Sequence, residues 1–218
     1  MSKVLPLAPP FRRNARRSVL HVGCGYPSAH RLHSVFRAGD EWQEIRLDID
    51  EKVKPDIVCS TVDMSASIST GSVDAVWTSH TIEHLYDHEV SAALAEFRRV
   101  LAPNGFLLLR CPDLETVAES LLRNGIEHIV YESPAGPVTP LDILYGYRPS
   151  VADGNLFMAH RTGFTDKRMG RMLMEAGFAE ARTKRTEGFD LWAVAFVAPG
   201  DVGGCLEHLA RNGLDFDG

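Results

Sequence analysis

The residues whose types and spacing could do chemistry begin near the start of the chain. Gly23-Cys24-Gly25 follows the short apolar run 18–22, and Asp48 ends a second run at 46–49. Paired glycines let a backbone turn sharply and come close to a ligand. A carboxylate at the end of the next strand, roughly twenty residues on, is placed to accept hydrogen bonds from ribose hydroxyls. The pair therefore predicts a nucleoside-binding half-site. A dinucleotide fingerprint would put its third glycine at position 28, where the chain has Ser28 preceded by Pro27. Proline has no N–H to give to a pyrophosphate. A phosphate-free nucleoside such as S-adenosylmethionine, with its zwitterionic amino-acid end and sulfonium, suits this turn better than a nicotinamide dinucleotide.

A second candidate constellation is His80-Thr81-Ile82-Glu83-His84. His-x-x-Glu-His matches an inverted zinc-protease motif and sets two imidazoles at helical i,i+4 spacing. Catalytic zinc needs three protein ligands and a water. No third ligand stands out downstream, so no metal is expected, and Glu83 reads as a helix N-terminal charge. If a hydroxyl is to be activated, an imidazole of near-neutral pKa is the usual base. His80 is the first candidate and His160 the second. Tyr145, Tyr147, Arg148 and Arg161 add hydroxyl and guanidinium donors suited to a polar acceptor with an anionic or hydroxylated part.

The elements that must position these groups follow from apolar patterning. Segments 18–22, 46–49, 56–59, 73–80 and 106–109 read as short buried strands. Between the last two, Val90, Ala93, Leu94, Phe97 and Leu101 form a helical stripe, with Asp87 as N-cap and Arg98 and Arg99 at the C-terminal dipole. Pro103-Asn104-Gly105 predicts a turn. A helix opens at Pro112-Asp113 and another at Thr165 or Asp166, the latter with Met169, Met172 and Leu173 inward; the methionines read as core filler. Residues 181–187 and 191–197 predict a closing hairpin around Gly188. The expected fold is α/β: a Rossmann-like, seven-stranded, mostly parallel sheet with helices on both faces and a C-terminal antiparallel hairpin.

The runs 19–25, 46–50, SVDAVWTSHTIEHL at 72–85 and EFRRVLAPNGFLLLRCPD at 96–113 resemble, in order and spacing, the class I S-adenosylmethionine-dependent methyltransferases, and within them the small bacterial type 11 group. Weaker similarity continues at His160-Arg161-Thr162-Gly163-Phe164 and LMEAGF at 173–178. The resemblance implies that Gly23 and Gly25 line the methionine portion of S-adenosylmethionine and that Asp48 holds the ribose. Asp63 and the Met64 backbone would face the adenine, and Ser79 and His80 would border the sulfonium. His21, Cys24 and Ile49 flank these positions and are counted with the cofactor site. Where many members carry an acidic residue two before the first glycine, this chain has His21, and a frequent third glycine is replaced by Pro27.

Composition agrees with one such domain. A chain of 218 residues with 44% hydrophobic content can bury a full α/β core. Its net charge of -6 disfavours a nucleic-acid surface, so a small-molecule methyl acceptor is the expected partner. Four scattered cysteines imply no disulfide framework, and no apolar run is long enough to span a membrane, which together predict a cytoplasmic protein. The expected layout is a basic, proline-containing arm at 1–17, a methyltransferase domain at 18–198 with a lid-like insertion at about 125–160, and a C-terminal tail at 199–218 that holds a short helix before its acidic end. The expected activity is O-methylation of a polar metabolite or glycan-type precursor. A methyltransferase-like binding protein without turnover is the alternative, with a nicotinamide oxidoreductase behind it.

Overall fold

The computed structural model describes residues 16–28, 30–37, 41–186, 188–200 and 202–217. Residues 1–15 of the expected arm lie outside them, and Arg17 already belongs to the first strand. In chain order the elements are β1 (Arg17–Val22), β2 (Trp42–Asp48), β3 (Ile57–Val58), β4 (Val73–Ser79), α1 (Asp87–Val100), β5 (Leu101–Pro112), α2 (Leu114–Asn124), β6 (Tyr131–Ser133), β7 (Gly136–Val138), α3 (Pro140–Tyr145), α4 (Arg148–Ala152), α5 (Asp166–Glu175), β8 (Glu180–Arg185), β9 (Asp190–Phe196) and α6 (Val202–Arg211).

Seven strands form one sheet in the order β3-β2-β1-β4-β5-β9-β8. The pairs from β3 through β5 are parallel, and β9 runs antiparallel to both β5 and β8. This is the α/β class expected, closing hairpin included. The order reverses between β1 and β4, which opens a crevice at the C-terminal ends of those strands, where ligands of such sheets bind. Pro103-Asn104-Gly105 is a bulge rather than a free turn. The register jumps from Val73↔Leu101 to Ala75↔Phe106, so residues 102–105 are looped out while the chain stays in the sheet.

Alternation of side chains gives the sheet two apolar faces. On one, Leu20, Val22, Leu47, Val76, Leu107 and Leu109 meet Val90, Leu94 and Phe97 of α1 and Met169 and Leu173 of α5. The other face carries Val19, Trp77, Phe106, Leu108, Trp192 and Phe196. Among the described residues, the connection from β1 to β2 offers this face only a 3-10 turn, Ser34–Phe36. Its cover comes instead from the end of the chain: Leu206 and Leu209 of α6, then Leu214 and Phe216, are buried on it. Residues 202–217 of the expected C-terminal segment are therefore a layer of the fold. Burying that much apolar surface explains why it docks.

The insertion between α2 and α5 has its own small core, in which Val117, Val138 and Ile143 are packed by Leu144, Tyr147 and Phe189. The Thr139 hydroxyl and N–H both donate to Asp142 at the start of α3, and Arg148 Nε donates to the same carboxylate at 2.8 Å. These bonds fix a compact unit that delivers His160 to the end of β4.

Candidate active site

Gly23 and Gly25 both adopt left-handed φ, +65° and +59°. A Cβ at Gly23 would fall 2.1 Å from Thr81 Oγ1, and one at Gly25 2.5 Å from Arg31 Nη1. Conformation favours glycine at both positions, and at Gly23 space requires it as well, whereas the Arg31 guanidinium beside Gly25 could swing away. Asp48 ties the second strand to this turn: Oδ2 accepts the Gly25 N–H at 2.8 Å and Oδ1 the Asp50 N–H at 3.0 Å. A carboxylate has about four lone-pair sites, so acceptor capacity remains for a ligand. Ile49, beside it, is exposed. Arg46 braces the turn by donating to the Gly25 carbonyl at 2.5 Å and to the Lys54 carbonyl. Neither Arg31 nor Arg46 was singled out from the sequence, because each reaches the turn only through the fold. Burial, opposed by Arg46, pushes the Cys24 thiol up to about 11, which keeps it protonated and unreactive. His21 is buried, and its Nδ1 lies 2.6 Å from Glu44 Oε1, so β2 sets a carboxylate beside it.

On the β3 side, Asp63 is exposed, and its Oδ1 accepts both the hydroxyl and the N–H of Ser65, which hold its carboxyl below the usual range. Met64 departs from expectation. Its side chain is fully buried, its N–H donates to Glu96 Oε2 at 2.6 Å, and its carbonyl accepts from Ser67 and Ile68. Glu96, itself held by Arg99, has captured the backbone that was expected to face a purine. In the same loop the Thr61 hydroxyl is buried with no protein partner.

At the end of β4, Ser79 Oγ accepts from Arg110 Nε at 3.0 Å, and the Arg110 guanidinium lies over Trp192. His80 has a φ of +51°. Its Nδ1 is 3.2 Å from Glu83 Oε1 and its Nε2 3.3 Å from Asp190 Oδ1. Burial works against its charge, but hydrogen bonds to Asp190 and Glu83 outweigh it and carry the imidazole up to about 9. His80 is therefore charged at neutral pH, a donor between two carboxylates rather than the general base expected of it. Residues Ile82–His84 form a 3-10 turn, not an α-helix, so His80 and His84 do not share a helical face.

Glu83 is 1% exposed. Its Oε1 meets His80, while its Oε2 has no partner. Burial raises its carboxyl, but the His80 bond and the neighbouring imidazoles hold it below the ordinary value. His84 Nδ1 lies 3.3 Å from the Ala159 carbonyl, and His160 Nδ1 lies 2.7 Å from the Ile143 carbonyl. A carbonyl only accepts, so each Nδ1 carries the proton and each Nε2 a lone pair. Burial holds His160 below the usual imidazole value. Donor atoms of Glu83, His84 and His160 all lie within 4.8 Å of one another. The expectation that no third ligand stands near Glu83 and His84 is thus corrected: the fold supplies His160. The Arg161 and Thr162 N–H groups clamp it by donating to the Glu83 carbonyl at 2.8 and 3.3 Å, and Arg161 Nη1 donates to the His84 carbonyl at 2.6 Å while stacking on Tyr86.

The other acceptor-side residues divide. The Tyr147 hydroxyl donates to the Ala135 carbonyl at 2.5 Å and Arg148 holds Asp142, so both brace the insertion. Tyr145 is exposed, and its carbonyl receives the His160 N–H at 3.2 Å. A cavity of about 320 Å³ between α2 and the insertion is lined by Thr116, Glu119, Arg123, His128 and Phe189 and touches none of the site residues above.

Residues 20–109 match the family described as "Methyltransferase domain", a span that holds the glycine turn, Asp48 and the β4 end. No curated protein sequence matches the chain. A SAM-dependent methyltransferase from Archaeoglobus fulgidus superposes with a TM-score of 0.54 at 13% identity, over 83% of this chain and 86% of that one. One from Aquifex aeolicus gives 0.53 at 14% identity, over 85% of each chain. The CMeT domain of a citrinin polyketide synthase gives 0.53 at 11% identity over 85% of this chain, which spans only 47% of that structure. At these identities the structures establish the fold. Residues 20–109 thus match a methyltransferase domain, set in a fold that the chain shares with S-adenosylmethionine-dependent methyltransferases. Among the described residues no helix is long and apolar enough to cross a membrane.

Proposed function

We propose that this methyltransferase domain methylates an oxygen atom of a small, polar, hydroxylated acceptor of the metabolite or glycan-precursor kind, in the cytoplasm. The observation that carries the reading is the pair of imidazoles, His84 and His160, whose rings each bring a nitrogen to within 4.8 Å of the buried Glu83 carboxylate just after β4. Such a cluster can bind a hydroxyl and receive its proton. The residues present also fit the cofactor. Gly23 and Gly25 permit close backbone approach, Asp48 retains acceptor capacity for ribose hydroxyls, exposed Ile49 offers an apolar surface, and the unpartnered Thr61 hydroxyl lies in the loop beside Asp63. Arg31, against Gly25, is suited to the methionine carboxylate.

When bound, S-adenosylmethionine supplies an activated sulfonium methyl; the acceptor O–C bond forms as the C–S bond breaks, its electron pair going to sulfur to leave S-adenosylhomocysteine. The chain's own part is alignment and exclusion of water. In this reading Ser79, Arg110 and the charged His80 shape the polar floor between cofactor and acceptor, and the insertion at 125–160 with Tyr145 and Arg161 acts as the lid that selects the acceptor. The test is S-adenosylhomocysteine release against panels of hydroxylated compounds, amines and carbon acids, with His160→Gln as control. Turnover confined to hydroxylated compounds and lost in the variant supports the reading. Turnover only with amines or carbon acids overturns it, and cofactor binding without turnover on any panel favours a binding protein.

A further inference from the structure

We propose that Glu83, His84 and His160 form a binding site for one divalent transition-metal cation, with two nitrogen ligands and one carboxylate. The three donors come from two distant segments, and their ligand atoms converge within 4.8 Å. Glu83 is only 1% exposed, and its Oε2 has no hydrogen-bond partner. A buried carboxylate oxygen left bare is costly, so something positive belongs against it. Neither imidazole meets that need as a neutral ring, because each has spent its one proton on a backbone carbonyl: His84 on Ala159 and His160 on Ile143. That arrangement, with Nδ1–H on a carbonyl and Nε2 free, is the outer-shell pattern that orients histidine toward a metal.

The donor set selects the cation. Two imidazoles and a carboxylate suit Zn²⁺ or Fe²⁺, whereas Mg²⁺ and Ca²⁺ prefer oxygen ligands. Three protein ligands leave a position open for water or an acceptor oxygen. With metal–ligand bonds of about 2.0–2.1 Å, neighbouring ligand atoms in a tetrahedral site lie roughly 3.4 Å apart. The site must therefore contract, and the 3.3 Å contact of His84 with Ala159 is the looser of its two anchors and the one that yields. Glu83 is held for the role by His80 on its other oxygen, and the backbone bonds from Arg161 and Thr162 fix the two segments together. The proposal does not rest on the acceptor reading. If both hold, an acceptor hydroxyl in the open position is acidified by the cation, and the imidazoles act as ligands instead of proton acceptors.

The experiment uses full-length protein stripped with a chelator and titrated separately with Zn²⁺, Fe²⁺ under anaerobic conditions, Mg²⁺ and Co²⁺. Binding of one Zn²⁺ or Fe²⁺ per chain is expected, with no comparable uptake of Mg²⁺. Co²⁺ should give visible ligand-field bands without the intense near-ultraviolet absorption that thiolate ligation by the cysteines would add. His84→Ala and His160→Gln should each weaken the site by on the order of 100-fold or more, and Zn²⁺ should raise the Tm of the wild type but not of either variant. Failure of the stripped wild type to bind, tight uptake of Mg²⁺ in place of Zn²⁺ and Fe²⁺, a thiolate spectrum, or equal affinity in wild type and both variants overturns the site. S-adenosylhomocysteine titrated into stripped and loaded wild type reports on the methyltransferase reading separately, since that ligand needs the glycine turn and not the metal.

Discussion

Removing the Asp48 carboxylate should weaken the cofactor far more than it weakens the fold. Asp48 receives two backbone N–H groups, from Gly25 at 2.8 Å and from Asp50 at 3.0 Å, and keeps lone pairs for ribose hydroxyls. Hydrogen bonds to a charged acceptor contribute about 1.5–3 kcal/mol, so Asp48→Ala should raise the Kd for S-adenosylhomocysteine by about 10- to 150-fold. Some of that loss comes through the glycine turn, whose Gly25 N–H loses its anchor. Asp48→Asn separates the parts. Its amide oxygen can still accept from Gly25, but its NH₂ then faces the Asp50 N–H, donor against donor, and the charge is gone. An intermediate affinity is expected. Isothermal titration of the three proteins, with thermal unfolding to confirm that each is folded, reads the effect. If Asp48→Ala binds within about twofold of wild type while folded, hydrogen bonding to this charged acceptor contributes almost nothing, and Asp48 does not hold the ribose.

Gly23→Ala puts a Cβ at a φ of +65° and 2.1 Å from Thr81 Oγ1, so it should lower stability by about 1–2 kcal/mol and reduce S-adenosylhomocysteine affinity; an unchanged Tm and Kd would show that the turn does not need its glycine. Leu209→Ala, on the buried face of α6, should cost about 2–4 kcal/mol in chemical denaturation, whereas a cost under about 0.5 kcal/mol would mean that α6 does not cover the sheet. His33 accepts the Val35 N–H on Nδ1 and lies against Trp77 and Trp192; burial, with Arg110 and Arg37 nearby, lowers its pKa to about 4. A depressed value means that stability is fully present above the unfolded value near 6.5 and lost as pH falls through 4, by up to about 3 kcal/mol. Urea midpoints that fall between pH 7 and 4 in wild type but much less in His33→Gln are the expected result, and parallel curves would refute it.

The sequence by itself determined the sheet and the glycine turn that Asp48 ties to the second strand, for a local reason. A strand, a glycine turn and a carboxylate closing the next strand are all written in short runs, so Gly23, Gly25 and Asp48 could be named and the β1–β5 pattern read from short apolar runs. The α1 stripe at Val90, Ala93, Leu94 and Phe97 is likewise local and was legible. Tertiary structure decided whatever depends on which distant groups meet. Glu96 takes the Met64 N–H across 32 residues, and Asp190 meets His80 from the far hairpin and turns a candidate base into a cation. His160 looked solitary in the sequence because an insertion with its own core must fold before it reaches Glu83 and His84. The last residues read as a short helix and an acidic tail, with nothing local to say what the helix covers. They become a layer only because the β1–β2 connection leaves the Trp77 and Trp192 face for them to cover.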